Sequence, residues 1–242
     1  MRYSHPLRII RRRKHAFKIS LIFTGILILL VLVLGFTTLD ASKFFLGFLE
    51  SFYRVIIAYL IAASLAFALA ILATSSKSVE NIFVPILDAL QSFPSFALFP
   101  LLLLWFGKTD IVVIIILVLE MIWPILFTLL SGQKQIKEDL IEAAHAFGAS
   151  GNKYFIYVLT PLLLPSLVTG SIVAWGEAWE TIIAAEILAS VPGVGSYLSQ
   201  SGESMHSTVL IIGIFLLLTM LFIFNKYIWL PLLNMSTKYQ QE

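Results

Sequence analysis

Five acidic residues lie within or beside the most apolar stretches of this 242-residue sequence, namely Asp88, Glu120, Glu177, Glu180 and Glu186. An ionised carboxylate at the centre of a membrane helix costs about 2.5–3.5 kcal/mol on insertion scales, so such residues usually face other helices or water. Two interpretations follow from this. The acids line a solute path, or they pair with hydroxyl and backbone groups between helices.

The spacing of the last three acids limits how they can act together. Glu177 and Glu180 are three residues apart and share one face of a helix. Glu186 is nine positions beyond Glu177, about half a turn further round, so the three cannot all line one narrow path. Trp175 lies on the same segment, where it would either line the path or pack between helices. An anionic solute would require these acids to be protonated, paired or away from the path; alternatively the solute is zwitterionic or cationic.

The composition indicates what kind of protein carries these acids. Hydrophobic residues make up 59% of the chain and charged residues 12%, against about 45–50% and about 25% in a typical soluble domain. With a mean hydropathy of +0.95, the chain has too little polar surface to cover a soluble globule. The absence of cysteine excludes a disulfide framework and thiolate sites. We therefore exclude a soluble enzyme and predict an all-α polytopic membrane protein.

Six windows are apolar enough to span a membrane, which takes about 20 residues. They are residues 19–39, 55–76, 83–106, 111–130, 161–188 and 208–230. The first follows a basic segment, but it is longer than a signal-peptide core of about 7–15 residues, so we interpret it as a transmembrane helix. The predicted organisation is a basic cytoplasmic N-terminus at 1–18, a first helix at 19–39, an external segment at 40–54, a five-helix core at 55–230 and a cytoplasmic tail at 231–242.

The basic residues orient these spans. With the N-terminus inside, 13 of the 16 Lys and Arg residues fall in inside segments, which follows the positive-inside rule. We therefore predict a multi-pass protein of the cell (inner or plasma) membrane with both termini in the cytoplasm. The basic run from Arg11 to Lys14 is expected to contact anionic lipid of the bilayer, and no nucleic-acid partner is expected.

Two connections are more than simple turns. The cytoplasmic loop at 132–160 carries an apolar stripe at helical spacing, formed by Ile136, Leu140, Ala143, Ala144 and Phe147. Gly148 follows where a helix C-terminus prefers glycine. The stripe must be buried against lipid headgroups or a partner protein, and the pattern leaves both open. The external loop at 189–207 contains Pro192-Gly193-Val194-Gly195, which is typical of an ordered loop or a re-entrant turn.

Four prolines interrupt the predicted spans, namely Pro94, Pro100, Pro124 and Pro165. Each frees a backbone carbonyl that is normally bonded within the helix. Broken helices of this kind bend around a central cavity in transporters, although any single proline can also be an ordinary packing kink. Together the four favour a mobile bundle with hinges over a rigid anchor.

One motif in the cytoplasmic loop identifies a family. From Glu142 the sequence reads Glu-Ala-Ala-His-Ala-Phe-Gly, and it resembles the EAA loop of ABC-importer permeases, which has Glu-Ala-Ala, three residues, Gly, nine residues, Ile, one residue and Leu-Pro. The residues at matching positions are Glu142, Ala143, Ala144, Gly148 and Pro161. Val158 and Thr160 replace the Ile and Leu of the pattern.

The resemblance extends over roughly residues 50–230. The segments at 85–94 and 99–107 look like the third span of the nitrate, sulfonate and taurine type of permease. Ala184-Ala185-Glu186, followed by the loop around Gly193 and Gly195, looks like the fifth span of that type. The tail at 225–232 is similar to the duplicated anion permeases of the same group, so this chain would correspond to one half of such a protein.

This resemblance implies a type I ABC-importer permease fold and a defined set of partners. Two permease chains, identical or paralogous, would join two ATP-binding subunits, and an extracellular solute-binding protein would deliver a small anion. The loop helix would be the coupling helix, with Glu142, Ala143, Ala144, Gly148 and Pro161 as the ATPase-coupling residues. The chain itself would hold no cofactor, because it lacks the Gly-x-x-x-x-Gly-Lys-Ser/Thr phosphate cradle, and ATP with Mg would bind the partner subunits.

Two other classes of function compete with an importer subunit. A self-sufficient ion-coupled secondary transporter or channel would use the membrane acids as a relay, but it gives the loop helix no role. An intramembrane enzyme would need a nucleophile with its base or a metal site, and the sequence shows neither pattern.

Overall fold

The computed structural model describes Gly25, residues 40–203 and residues 207–236. Apart from Gly25, the predicted N-terminal segment at 1–18 and the first span at 19–39 lie outside the described residues. The described residues are mostly helical and contain no strand. The prediction of an all-α protein is confirmed.

Ten α-helices follow one another in the described residues. They are α1 Ala41–Ala73, α2 Lys77–Gln91, α3 Phe99–Phe106, α4 Asp110–Lys134, α5 Glu138–Ala146, α6 Asn152–Tyr154, α7 Thr160–Ala189, α8 Val194–Glu203, α9 Ser207–Phe224 and α10 Leu230–Ser236. A 3₁₀ turn at Ser95–Leu98 precedes α3, and π-helical stretches at Phe155–Leu159 and Asn225–Trp229 precede α7 and α10.

Four helical segments are long and apolar enough to cross a membrane, at Ser42–Ala73, Asp110–Lys134, Phe155–Ala189 and Thr208–Ser236. They contain the predicted fourth, fifth and sixth spans, and the first of them covers the predicted second span except for its last three residues, 74–76. The third span was predicted at 83–106, with Pro94 and Pro100 interrupting it. The chain there forms two helical pieces, Lys77–Gln91 and Ser95–Phe106, which are bent by 73°.

The predicted prolines differ in what they do to the helices. Pro94 lies in the break between the two bent pieces, as expected for a broken helix. Pro100 lies in the first turn of α3, where the missing N–H would have no partner in any case, so it begins this helix and does not interrupt it. Pro124 and Pro165 lie inside the continuous helices α4 and α7. Their role as hinges stays a prediction.

Helix α1 begins well before the sequence suggested. The segment at 40–54 was predicted as an external connection, but the helix starts at Ala41 and is capped by Asp40. Hydrogen bonds from the Ser42 hydroxyl and from Lys43 lower the pKa of Asp40 to about 2, so the cap is ionised at neutral pH. The predicted span began at Val55, since only a charge-free window was taken, whereas the charge of Arg54 is buried and paired within the bundle.

The core forms where α4 packs between α1 and α7. Helix α1 contributes a seam of fully buried small residues at a spacing of three or four, namely Ala58, Ala62, Ala66, Ala70 and Ala73. Small residues let membrane helices approach closely, so that van der Waals packing replaces the hydrophobic driving force that lipid removes. On α7, Gly170 has the same function, because a Cβ there would lie 2.8 Å from the Cα of Ile125.

Candidate functional site

Helix α5 is the predicted coupling helix, and it projects from the bundle. We call α5 with Phe147 and Gly148 the coupling surface. No residue of α5 is buried. The apolar stripe is open, since Leu140 is 49% exposed and Phe147 is 92% exposed. Glu142 and Ala143 are also exposed and Ala144 is half-buried, so the motif side chains are accessible to a second protein.

The coupling surface ends in a glycine turn of defined geometry. Gly148 has a φ of +81°, which L side chains rarely adopt. Its N–H donates to the carbonyl of His145 at 2.9 Å, and the N–H of Ala149 donates to the carbonyl of Ala144 at 2.9 Å. This pair of bonds is a Schellman motif, which satisfies the last carbonyls of the helix and turns the chain away from its axis.

Contacts after this turn link the coupling surface to α7. The His145 ring stacks on Tyr154 with centroids 5.1 Å apart, and its Nδ1 lies 3.0 Å from the carbonyl oxygen of Ala149. Pro161, which has no N–H, lies in the first turn of α7. The Thr160 hydroxyl donates to the carbonyl of Phe155 at 2.9 Å. The threonine that departs from the family pattern thus satisfies a carbonyl in the π-helical stretch.

Three of the predicted path acids form one group, which we call the acid cluster: Glu120, Glu177 and Glu180. Glu177 and Glu180 are exposed on α7 and Glu120 is half-buried on α4. Glu120 and Glu180 lie within electrostatic range of Glu177. None of the three carboxylates has a hydrogen bond or ion pair with another described residue. A helix face with three such acids is poorly suited to contact with lipid, and it is better accommodated against water or another protein chain.

Trp175 is placed differently from the acid cluster. Its side chain is only 6% exposed. The indole stacks on Phe224 with centroids 4.5 Å apart and makes edge contacts with Phe52, Tyr59 and Trp229. It is therefore packed in an aromatic core between helices, which does not match the expected place on an open solute path.

Glu186 also lies apart from the acid cluster, at the end of α7. It is fully buried. Its Oε1 lies 2.7 Å from Nη1 of Arg54 and accepts a hydrogen bond from the Ser51 hydroxyl at 2.7 Å, while its Oε2 accepts from the N–H of Gly195 at 2.9 Å. This paired and enclosed position does not match the expected place on an open solute path either.

A comparison with known families assigns the chain. The sequence model of the binding-protein-dependent transport system inner membrane component family matches residues 62–228. This chain belongs to that family. The match includes α4, the coupling surface, α7 and the acid cluster. The family has the type I importer permease fold, and the all-helical architecture with its long apolar helices agrees with it.

Individual permeases of this family are similar to the chain. The taurine transport system permease protein TauC of Escherichia coli K12 is 30% identical over 164 residues, which cover 68% of this chain and 60% of TauC. The nitrate import permease protein NrtB of Leptolyngbya laminosa is 31% identical, with 68% and 59% covered. The bicarbonate transport system permease protein CmpB of Synechocystis is 30% identical, with 69% and 60% covered. The chain thus spans about three fifths of the length of these relatives.

Sequence reasoning missed the partners of Glu186. Arg54 was assigned to an external connection. Arg54 is 132 positions from Glu186, so no local periodicity connects them. One local signal was available: Glu186 is followed within ten residues by Gly193 and Gly195. An acid close to a glycine-rich turn fits a carboxylate that accepts hydrogen bonds from backbone N–H groups.

Proposed function

We propose that this chain is the transmembrane permease subunit of an ATP-driven importer. With a second permease chain, identical or paralogous, it forms the alternating-access path for a small anion. ATP and Mg bind separate ATP-binding subunits, and hydrolysis there drives movement of the bundle. The observation that carries this proposal is the coupling surface, an exposed amphipathic helix with a fixed turn that is joined directly to a membrane-spanning helix.

The chemistry of the coupling surface supports docking to a protein. Ala143 and Ala144 are small and allow close approach of a partner, while Phe147 offers a large apolar side chain at the tip. Glu142 is free to make a charge-assisted hydrogen bond, which is stronger than a neutral one. The stack of His145 on Tyr154 would transmit displacement of the docked helix to the start of α7.

The relatives support a small solute that carries an anionic group. Their names assign taurine, nitrate and bicarbonate transport to three related permeases. We propose an anion of this size, delivered by an extracellular solute-binding protein, for this chain. The proposed orientation places the coupling surface and both termini in the cytoplasm of a cell with the chain in its inner or plasma membrane.

We place the acid cluster on the side of α7 that meets the path and the second permease chain. Three carboxylates without partners among the described residues are costly against lipid but are tolerated against water. For an anion they must be protonated or set beside its route, since ionised carboxylates would repel it. Trp175 and Glu186 are assigned to packing.

One observation favours a second candidate, a self-sufficient ion-coupled transporter or channel. The unpaired acids of the cluster are of the kind that relay protons or cations in such proteins. This candidate gives no role to the coupling surface. The two differ in their energy source, which is ATP in one case and an ion gradient in the other.

Site-directed cross-linking tests the proposed coupling. Because the chain has no cysteine, a single cysteine at Phe147 can be joined to a neighbour by a short thiol-reactive photo-cross-linker. We expect a product between this chain and an ATP-binding protein in the assembled complex. Leu104→Cys is the matched control, since Leu104 is 79% exposed at the opposite end of the bundle and should give no such product. A Phe147→Cys chain that cross-links only to lipid would contradict the proposal.

A further inference from the structure

Arg54 joins three helices and a connecting segment at the end of the bundle that the proposed orientation places outside. Its Nη2 lies 2.8 Å from Asp110 at the start of α4, and its Nη1 lies 2.7 Å from Glu186 near the end of α7. The same Nη1 donates to the carbonyl of Pro192 at 2.6 Å. We call Ser51, Arg54, Asp110, Glu186 and the backbone of 192–195 the outer clamp.

The outer clamp is enclosed as well as connected. The side chains of Arg54 and Glu186 are 2% and 0% exposed, whereas Asp110 is 43% exposed. Ser51 adds a second link, because its hydroxyl donates to Glu186 and accepts from the N–H of Val194 at 2.9 Å. Each buried charge is thus satisfied partly by side chains and partly by the backbone of the connecting segment.

Glycines make this backbone approach possible. A Cβ at Gly193 would lie 2.2 Å from the carboxylate of Glu186, and a Cβ at Gly195 would lie 2.5 Å from the carbonyl of Ile183. On α1, a Cβ at Gly47 would lie 3.0 Å from the backbone of Gly193. The segment therefore fits against α1 and α7 only without side chains at these points.

Separating the segment from the helices would leave buried charges without partners. Glu186 would lose the N–H of Gly195, and Arg54 would lose the carbonyl of Pro192. Removing a partner from a buried ion pair is strongly unfavourable, because the remaining charge is neither hydrated nor neutralised. A movement that opens the solute path is therefore far easier at a face with no such network, such as the face of α7 that carries the acid cluster.

We propose that Arg54 is a positioning residue that holds segment 192–195 against α1, α4 and α7 in every state of the transport cycle. The outer ends of the three helices then move as one body, and the path opens on the acid-cluster face of α7. This inference rests on the proposed importer function.

Labelling of one buried residue beside the clamp tests this inference. Val191 precedes the segment and is 6% exposed, and its N–H donates to the backbone carbonyl of Glu186 at 3.2 Å, a bond that a substitution of its side chain leaves in place. In a chain that otherwise lacks cysteine, Val191→Cys reports how far the segment separates from the bundle. The labelling rate with a membrane-impermeant maleimide is measured in proteoliposomes carrying the whole assembly, with and without ATP and Mg.

The expected result is slow labelling that ATP changes by less than twofold. In the Arg54→Met/Glu186→Leu background, which removes both buried charges together, labelling should be at least tenfold faster. Arg54→Lys should give an intermediate rate, since a single ammonium cannot replace three guanidinium nitrogens. Lys43→Met is the matched control and should label as the parent does, because the Lys43–Asp40 pair on the same helix is 74% and 45% exposed.

Two results would overturn the clamp. One is labelling in the parent that rises tenfold with ATP, which would make the segment a gate. The other is labelling in both Arg54 backgrounds that stays as slow as in the parent. Solute uptake by the parent, measured in the same proteoliposomes, distinguishes failure of the importer proposal from failure of the outer-clamp proposal. Uptake without ATP removes the importer function, whereas ATP-driven uptake with either labelling result removes the clamp alone.

Discussion

At the scale of single residues, Gly148 defines the shape of the coupling surface through its backbone. Its positive φ permits the two hydrogen bonds that end α5, and no atom lies within 4 Å of a Cβ built there. A side chain at this position would thus be disfavoured by conformation and not by a clash. The cost of a β-branched residue in the left-handed region is about 1–2 kcal/mol.

We expect Gly148→Val to weaken association with the ATP-binding subunits about tenfold or to uncouple ATP hydrolysis from uptake, because the turn after α5 would change direction. Copurification and the ratio of ATP hydrolysed to solute transported measure the two effects. Gly107→Val is the control, since Gly107 has a φ of +67° and equally open surroundings but lies at the other end of the bundle. Equal effects of both substitutions would remove the coupling role of Gly148.

The acid cluster makes a second prediction at the same scale. Because the acid cluster is set beside the route of the anion, Glu180→Gln should raise the uptake rate by at most about fivefold, since a like charge at about 4 Å in water costs about 1 kcal/mol and a more distant one costs less. The amount of assembled complex should stay the same, since Glu180 loses no described hydrogen bond. Glu186→Gln is the contrasting variant and should reduce assembly. Lower assembly with unchanged uptake per complex in Glu180→Gln would assign Glu180 to packing.

At the scale of helices, close packing of α7 on α4 depends on glycine at one position and not at another on the same helix. A Cβ at Gly170 would lie 2.8 Å from the backbone of Ile125, while nothing lies within 4 Å of a Cβ at Gly176. The backbone of α4 has no flexible end that could move aside. Alanine substitutions at these two positions should therefore change the free energy of unfolding differently.

Gly170→Ala should lower the free energy of unfolding by about 1–3 kcal/mol through overpacking. Gly176→Ala should leave it unchanged or raise it by up to about 1 kcal/mol, because alanine favours the helix over glycine. Thermal unfolding of the purified chain in detergent, followed by circular dichroism, measures both. A loss of stability of similar size in the two variants would contradict the described α4–α7 contact.

Sequence periodicity and glycine preference predict the local features of this chain and fail for long-range partners. The apolar stripe around α5 and the turn at Gly148 follow from 13 consecutive residues, 136–148, and both were predicted. Pro94 and Pro100 could not be told apart, since their effect depends on where the helix breaks. The pairing of Arg54 with Glu186 joins distant segments, and the sequence alone presents Arg54 only as the end of an apolar window.

At the scale of the whole molecule, the structure has two ends with different properties. The coupling surface is exposed and connects to α7 through a short stacked segment, whereas the outer clamp is buried and ties α7 to α1 and α4. Between them lies the face with the acid cluster. Displacement applied at the coupling surface would therefore move α7 with its clamped neighbours and change the acid-cluster face.

The importer function is best tested by measuring solute uptake into proteoliposomes that carry the assembled complex. Taurine, nitrate and bicarbonate are supplied outside with the solute-binding protein, and ATP with Mg is enclosed on the side of the coupling surface. We expect uptake of a small anion that requires hydrolysable ATP and is lost with a nonhydrolysable analogue. Uptake by the purified chain alone, driven by an ion gradient without ATP, would contradict it.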